Sequence, residues 1–341
     1  MQIACSYFGN RIPRHVGSDM ERLRALGFDR VVHTFCENDL RYYRRTMGEI
    51  VRISEDCGLE VLLDPWGVAG VFGGEAFSQW LVEDEELAQR GPSRRRLAGA
   101  CLNHPRLLPL LRQWTEAAAE AGARTLFWDE PHWSHRGPGN PEGEICVCEY
   151  CRARLPGLPD VPPEAIASMR AEAVARLLAA LAAGALELGM RSSICVLPDG
   201  VAEQPALDWN EIARLPGVVE FGTDPYWQAF GISDPAARDR FIDAQASAAL
   251  EACRSAGVAC MLWLQAFRVT AEGEEDLFAG SRRLLAHGPD TAAVWGFEAC
   301  AHMSAIACER PAVVWRRLLE LLRPEGPGAH GASAGRPSCG P

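Results

Sequence analysis

Eight short runs of apolar, β-branched and aromatic residues alternate along the chain with eight longer amphipathic stretches. That alternation, over about 320 residues, predicts a single-domain (β/α)8 barrel, the TIM-barrel fold of the α/β class. Two further observations agree. The excess over the usual ~250 residues falls in long segments after the third and fourth runs. No Gly-rich phosphate loop follows the first run, where "CSYFGNRIPRH" holds a single Gly, and this removes the commonest sequence support for the rival open doubly wound sheet.

Strands are expected at 2–8, 29–36, 59–64, 124–130, 191–197, 218–224, 258–265 and 291–298, each a short run bounded by turn residues. Helices between them are expected from apolar residues three and four apart, as in Leu40, Tyr43, Met47 and Ile50 or Val314, Trp315, Leu318 and Leu322. Gly58, Gly122, Gly189, Gly257 and Gly288 follow such runs, where a left-handed residue closes a helix, while Pro105, Pro235 and Pro311 stand near helix starts. The charged stretch "VEDEELAQRGPSRRR" (82–96) reads as a solvated loop or lid. Beyond Arg323 the chain is almost all Gly, Pro, Ala and Ser, which predicts a disordered tail over 324–341 and leaves 1–323 for the barrel.

The chain carries 34 basic and 45 acidic residues, a formal charge of −11. Its overall field would repel nucleic acid and anionic membranes, so neither is an expected partner, and a neutral or cationic small ligand fits better. The longest apolar helical run, "LLAALAAGAL", is far shorter than the roughly 20 residues that span a bilayer. The opening "MQIACSYFGN" reads as a strand rather than a secretion signal. A cytoplasmic location follows as the expectation, and there the 13 cysteines should be largely reduced, so that clustered ones suggest metal ligands. A homo-oligomer is compatible with the sequence.

In a barrel the active site gathers at the C-terminal ends of the strands. The third run ends in Asp64 and Trp66, the fourth in Asp129, Glu130, His132 and Trp133, and the sixth in Asp224, Tyr226 and Trp227. The seventh ends in Trp263 and Gln265, the eighth in Trp295 and Glu298. Acids beside flat aromatic rings suit a small carbohydrate, whose C–H faces stack on indoles while carboxylates and amides hold its hydroxyls. The bland reading is that the indoles pack the barrel's upper layer.

Two carboxylates flanking a glycosidic bond suffice for its hydrolysis. Glu130 is the candidate acid/base, because an aromatic, poorly hydrated setting raises a carboxyl's pKa. Asp224 or Glu298 is the candidate partner, with Asp64 third. Asp129 and Glu130 are neighbours, so alternation lets only one face the barrel axis unless the strand has ended there. The competing reading makes them a surface pair bridged to Arg124 or Arg136.

"CVCEYC" brings Cys146, Cys148 and Cys151 close enough for three thiolates to converge on one tetrahedral ion, and Cys101 in "GACLNHP" is the natural fourth ligand, with His132 or His135 behind it. This lone Cys before a Pro-started helix, the acid ending strand four and the CxCxxC triplet followed by "CRARL" together resemble the catalytic barrel of family 42 β-galactosidases. The resemblance covers residues 95 to 155, roughly. It implies a structural Zn2+ held by Cys101, Cys146, Cys148 and Cys151, an acid/base role for Glu130 and membership of the wider group of barrel glycosidases. Asp129 stands where the family has Asn, and Gln265 where it has its nucleophilic Glu. An amide cannot take the nucleophile's place, so β-galactosidase activity itself is not implied. The alternatives are a non-hydrolytic sugar-binding barrel and a metal-dependent sugar lyase or isomerase.

Overall fold

The computed structural model describes residues 1–134, 145–201 and 204–323. The expected tail at 324–341 and the residues His135 and Arg136 lie outside the described residues. Eight parallel strands close into a barrel in the order β1-β10-β9-β8-β7-β6-β3-β2. They are β1 (Gln2–Tyr7), β2 (Arg30–Thr34), β3 (Glu60–Asp64), β6 (Thr125–Asp129), β7 (Arg191–Val196), β8 (Val218–Thr223), β9 (Ala259–Gln265) and β10 (Thr291–Trp295). The barrel expected from the alternation is therefore present, with each strand inside its expected run.

The outer layer is built from α1 (Pro13–Ala25), α2 (Glu37–Tyr42), α3 (Arg44–Asp56), α5 (Leu107–Glu120), α7 (Pro163–Glu187), α8 (Trp209–Ala213), α9 (Pro235–Ala256), α10 (Glu274–Ala286) and α11 (Pro311–Leu322). Pro235 and Pro311 begin α9 and α11, and Gly257 closes α9 at φ 72°. The apolar pattern from Leu40 to Ile50 is split between α2 and α3, because Tyr43 at φ −123° leaves the helical region between them.

Strand alternation sorts the side chains into two apolar layers. One lies between barrel and helices and contains Val31, Leu63, Leu126, Trp128, Leu262 and Leu264. The other fills the barrel with Val32, Leu62, Phe127, Met261, Trp263 and Ala293. The N-terminal end of the barrel is closed by a buried ion pair. Arg30 lies 2.6 Å from Glu220, whose carboxylate also accepts hydrogen bonds from Ser193 and Thr291. With these partners the buried charge is met on both sides, as its survival away from water requires.

The two long excursions leave β3 and β6. The first carries the four-residue helix α4 (Trp80–Glu83) and an antiparallel hairpin, β4 (Ala88–Arg90) with β5 (Arg96–Ala100). The charged stretch at 82–96 thus runs from the end of α4 through β4 to the start of β5, and Glu83, Glu85, Glu86, Arg94 and Arg95 in it are exposed, as in a solvated segment. The second excursion carries α6 (Glu149–Arg154). Buried Glu37 fastens the first one, its carboxylate accepting the backbone N–H of Ala69 and Trp80 and the Ser78 hydroxyl at 2.7–2.8 Å. No described helix is long and apolar enough to cross a membrane.

Candidate active site

Asp64 and Asp129 are the last residues of β3 and β6, and Asp224 follows β8 directly. Each stands an even number of residues from an inward-facing position, Leu62, Phe127 and Gly222 respectively, so alternation turns all three into the barrel. Glu130 escapes that rule. Its φ of 44° shows that the extended strand has ended, and both members of the Asp129–Glu130 pair line the same cavity. Against the rival surface-pair reading, Asp129 is buried and Arg124 pairs instead with Glu55 at 3.4 Å, while Arg136 lies outside the described residues.

Backbone contacts hold this arrangement. Gly73 N–H donates to Asp129 O at 3.0 Å, His132 N–H to Val71 O at 2.8 Å and Glu130 N–H to Cys195 O at 2.9 Å. The excursion after β3 therefore runs alongside the acids. It can do so because residue 73 lacks a side chain. A Cβ there would sit 2.5 Å from Asp129 Oδ2 and 2.9 Å from Glu130 Oε2. Gly73→Ala is expected to displace both carboxylates and lower kcat/KM by about 10-fold or more, with a thermal midpoint within a few degrees of wild type. Steady-state kinetics beside a melting curve checks this.

The cavity has a volume of about 670 Å³. Its lining includes the acids Glu75, Asp129, Glu130 and Asp224 and the aromatic residues Tyr226, Phe230, Phe241, Phe267 and Trp295. Burial raises the pKa of Asp64, Asp129, Asp224 and Glu130, and mutual repulsion adds to it for the three aspartates. Glu130 and Asp224 are hydrogen-bonded to each other, which favours the proton on Asp224 and the charge on Glu130. Two carboxyls in such contact hold one proton between them and titrate as a pair. His132 turns Nδ1 to Glu130 O at 2.6 Å, and as a carbonyl only accepts, that nitrogen carries a proton.

The remaining expected residues divide into three groups. Asp129, His132, Tyr226 and Trp295 line the cavity with Glu130 and Asp224. Asp64, Trp66, Trp263 and Gln265 lie around or beneath it: Trp263 packs 5.5 Å from Trp295, and Phe8 stacks on Trp66 at 5.5 Å. Trp133, Trp227 and Glu298 are elsewhere. Trp133 is buried against α7, donating to Arg170 O at 3.1 Å. Trp227 packs on α10, with its indole donating to Asp276 at 2.7 Å and its ring covering Gly280. Neither is among the residues lining the cavity. Glu298 turns outward to Arg22 of α1, because the chain leaves β10 in a left-handed kink at φ 50°.

His33 also belongs to the outer layer. It hydrogen-bonds Ser54 at 2.8 Å, and burial pushes its pKa down to about 3. Glu75, Phe230, Phe241 and Phe267 were not expected at the site. Of these only Phe267, two residues beyond Gln265, had a signal in the sequence, as the next position of the β9 alternation.

The four cysteines converge away from the cavity. Cys101 follows β5, Cys146 and Cys148 precede α6, and Cys151 lies within it. Their sulfurs all fall within 4.8 Å of one another, with Cys101 at 3.4 Å from Cys148 and 3.5 Å from Cys151. Tetrahedral zinc with Zn–S near 2.3 Å places sulfurs about 3.8 Å apart, so the donor set fits a metal ion. Arg90 N–H and the Asn103 amide each lie 3.4 Å from a sulfur, Cys146 and Cys151 respectively, and such donors favour thiolates. Hydrogen bonds among the four lower the pKa of Cys148 and Cys146 and raise that of Cys101.

No family model and no curated protein matches the chain. Solved structures do. The catalytic domain of β-amylase from Paenibacillus polymyxa superposes with a TM-score of 0.60 at 11% identity, covering 87% of this chain and 92% of that one. GH5_18 from Streptomyces cattleya, solved in complex with GlcNAc, gives 0.57 at 13%, covering 94% and 79%. An endo-β-1,4-mannanase from Thermotoga petrophila gives 0.53 at 10%, covering 95% and 77%. At these identities the likeness establishes the barrel fold and no more.

Proposed function

We propose that the protein is a glycoside hydrolase-like enzyme that cleaves a glycosidic bond in a small sugar or glycoside, with Glu130 and Asp224 as its carboxyl pair. The observation that carries the reading is the hydrogen bond between these two buried carboxyls in a cavity also lined by aromatic side chains. A pair holding one proton offers an acid for the departing oxygen and a carboxylate for the anomeric carbon. Inverting enzymes keep their carboxyls roughly 6.5–9.5 Å apart to admit a water, whereas retaining enzymes hold them about 5–5.5 Å apart. Contact lies on the retaining side. Gln265 contributes no charge, so the second carboxyl comes from Asp224, just after β8. With the proton favoured on Asp224 and the charge on Glu130, the resting pair has Asp224 as its acid and Glu130 as its carboxylate. Tyr226 and Trp295 would stack on the sugar, and Asp129 and His132 would hold its hydroxyls.

Barrel proteins of similar structure are named as glycosidases, which is compatible with this reading. The chain has no lysine, so imine-forming lyase chemistry is closed to it. A zinc ion on four thiolates would be structural, because no coordination position stays open for substrate. Reduced thiols would suit a cytoplasmic setting. Incubation with aryl glycosides and disaccharides, followed by chromatography of released sugars and NMR of the first-formed anomer, tests the proposal. Retained anomeric configuration is expected. Saturable sugar binding with no product from any substrate would instead indicate a binding protein.

A further inference from the structure

The cavity holds more carboxyl groups than bond cleavage needs. Beyond the Glu130–Asp224 pair it has Asp129 and Glu75 in its wall, with Asp64 fully buried behind them. No arginine is among the described residues lining it, and the chain contains no lysine. Arg268 reaches Glu75 at 3.5 Å and is more than half exposed, so it neutralises the rim and leaves the floor untouched.

A second observation is independent of the charge count. Both carboxylate oxygens of Asp64, Oδ1 of Asp224 and Oε1 of Gln265 are buried without a hydrogen-bond partner. Gln265 is only 2% exposed, and the β9 alternation places it inside the barrel with Met261 and Trp263. Its amide nitrogen is used, donating to Phe267 O at 3.0 Å, so only its acceptor is left over. The unpartnered donors nearby are the Ser6 hydroxyl and indole N–H groups, none of them charged. Buried acceptors left in this state cost about 1–3 kcal/mol each.

A bare metal ion does not fit. Among the described residues only the four cysteines bring three or more ligand atoms within 4.8 Å. The acids instead surround a space large enough for a sugar ring.

We infer that the ligand is cationic: the sugar seated in this cavity carries a protonated amine. An ammonium group brings three donors and one positive charge, answering the unpartnered Asp224 oxygen and the surplus carboxyls of the cavity lining together. The aromatic side chains in the lining, Tyr226 and Trp295 among them, favour a cation as well. The inference rests on reading this cavity as a sugar site.

Isothermal titration of the full chain with glucosamine, galactosamine and mannosamine, each beside its N-acetylated and its neutral hydroxyl counterpart, tests it. At least one amine is expected to bind about 10-fold or more tighter than both counterparts, and Asp129→Asn is expected to reduce that preference. Equal or tighter binding of the neutral forms, or no binding of any amine, overturns the inference. Cleavage of a neutral glycoside without amine preference would sink this inference and leave the hydrolase reading standing. Amine-selective binding with no hydrolysis of any glycoside would do the reverse.

Discussion

Glu130→Gln is expected to lower kcat by about 10³-fold on whichever glycoside the protein cleaves, with the thermal midpoint unchanged or raised. The two halves of that expectation have one cause. Glu130 sits among Asp64, Asp129, Glu75 and Asp224, whose mutual repulsion and burial oppose ionisation. An amide of the same shape removes one charge from that group, so folding has nothing to lose. Catalysis loses the carboxyl that shares a proton with Asp224. The wild-type kcat/KM should follow a bell-shaped pH profile, because the pair works only while it holds a single proton. In the variant the profile should lose one limb. Glu298→Gln supplies the control. Its carboxylate faces Arg22 on the outer layer, so kcat should stay within about 2-fold of wild type. Full activity in Glu130→Gln, or an equal loss in Glu298→Gln, would overturn the assignment.

That control also marks where sequence reasoning stopped. The barrel was legible because parallel strands covered on both faces must be short apolar runs, and β1 to β10 show such runs wherever they belong to the barrel. Inside a strand the two-residue period also settles direction. In β3, β6 and β9 it puts Asp64, Asp129, Trp263 and Gln265 on the same inner face as Leu62, Phe127 and Met261. Past the strand end the period lapses. Glu130 and Glu298 both leave their strands at left-handed φ, 44° and 50°, yet one turns to the cavity and the other to α1. The difference is made by what packs around them. The β3 excursion lies against Glu130, through Gly73, and Arg22 stands opposite Glu298. Neither neighbour is near in sequence. Trp133 and Trp227 were misplaced for the same reason, each lying a few residues beyond a strand, where helix packing outweighs proximity to the site. The β4–β5 hairpin was hidden by its own brevity, since strands of three and five residues spaced by an arginine run show no apolar alternation. Glu75 and Phe230 come from loops, for which no periodicity exists, and Phe241 from the second turn of α9.

Metal analysis is expected to find one zinc per chain, and Cys101→Ala to lose it, with a fall in thermal midpoint of about 5 °C or more. The size of the effect follows from which segments the cysteines join. Cys101 ends the excursion from β3, whereas the CxCxxC triplet belongs to the excursion from β6. A bound ion would therefore cross-link the two loops next to the acids of the cavity. Weaker contacts run in parallel: Val147 N–H donates to Arg90 O at 2.7 Å, Cys101 N–H to Leu87 O at 2.8 Å and Gly99 N–H to the Ser134 hydroxyl at 3.0 Å. Without the ion these must hold the loops alone, against the repulsion of four crowded thiols. The same loops set Gly73 against Asp129 and Glu130, so the cysteine variant should lose activity along with metal even though none of the cysteines lines the cavity. Chelator treatment of the wild type should reproduce both losses, and zinc should restore them. Undiminished zinc in Cys101→Ala would remove that residue from the ligand set. Loss of zinc with unchanged melting and activity would show that the clamp positions nothing.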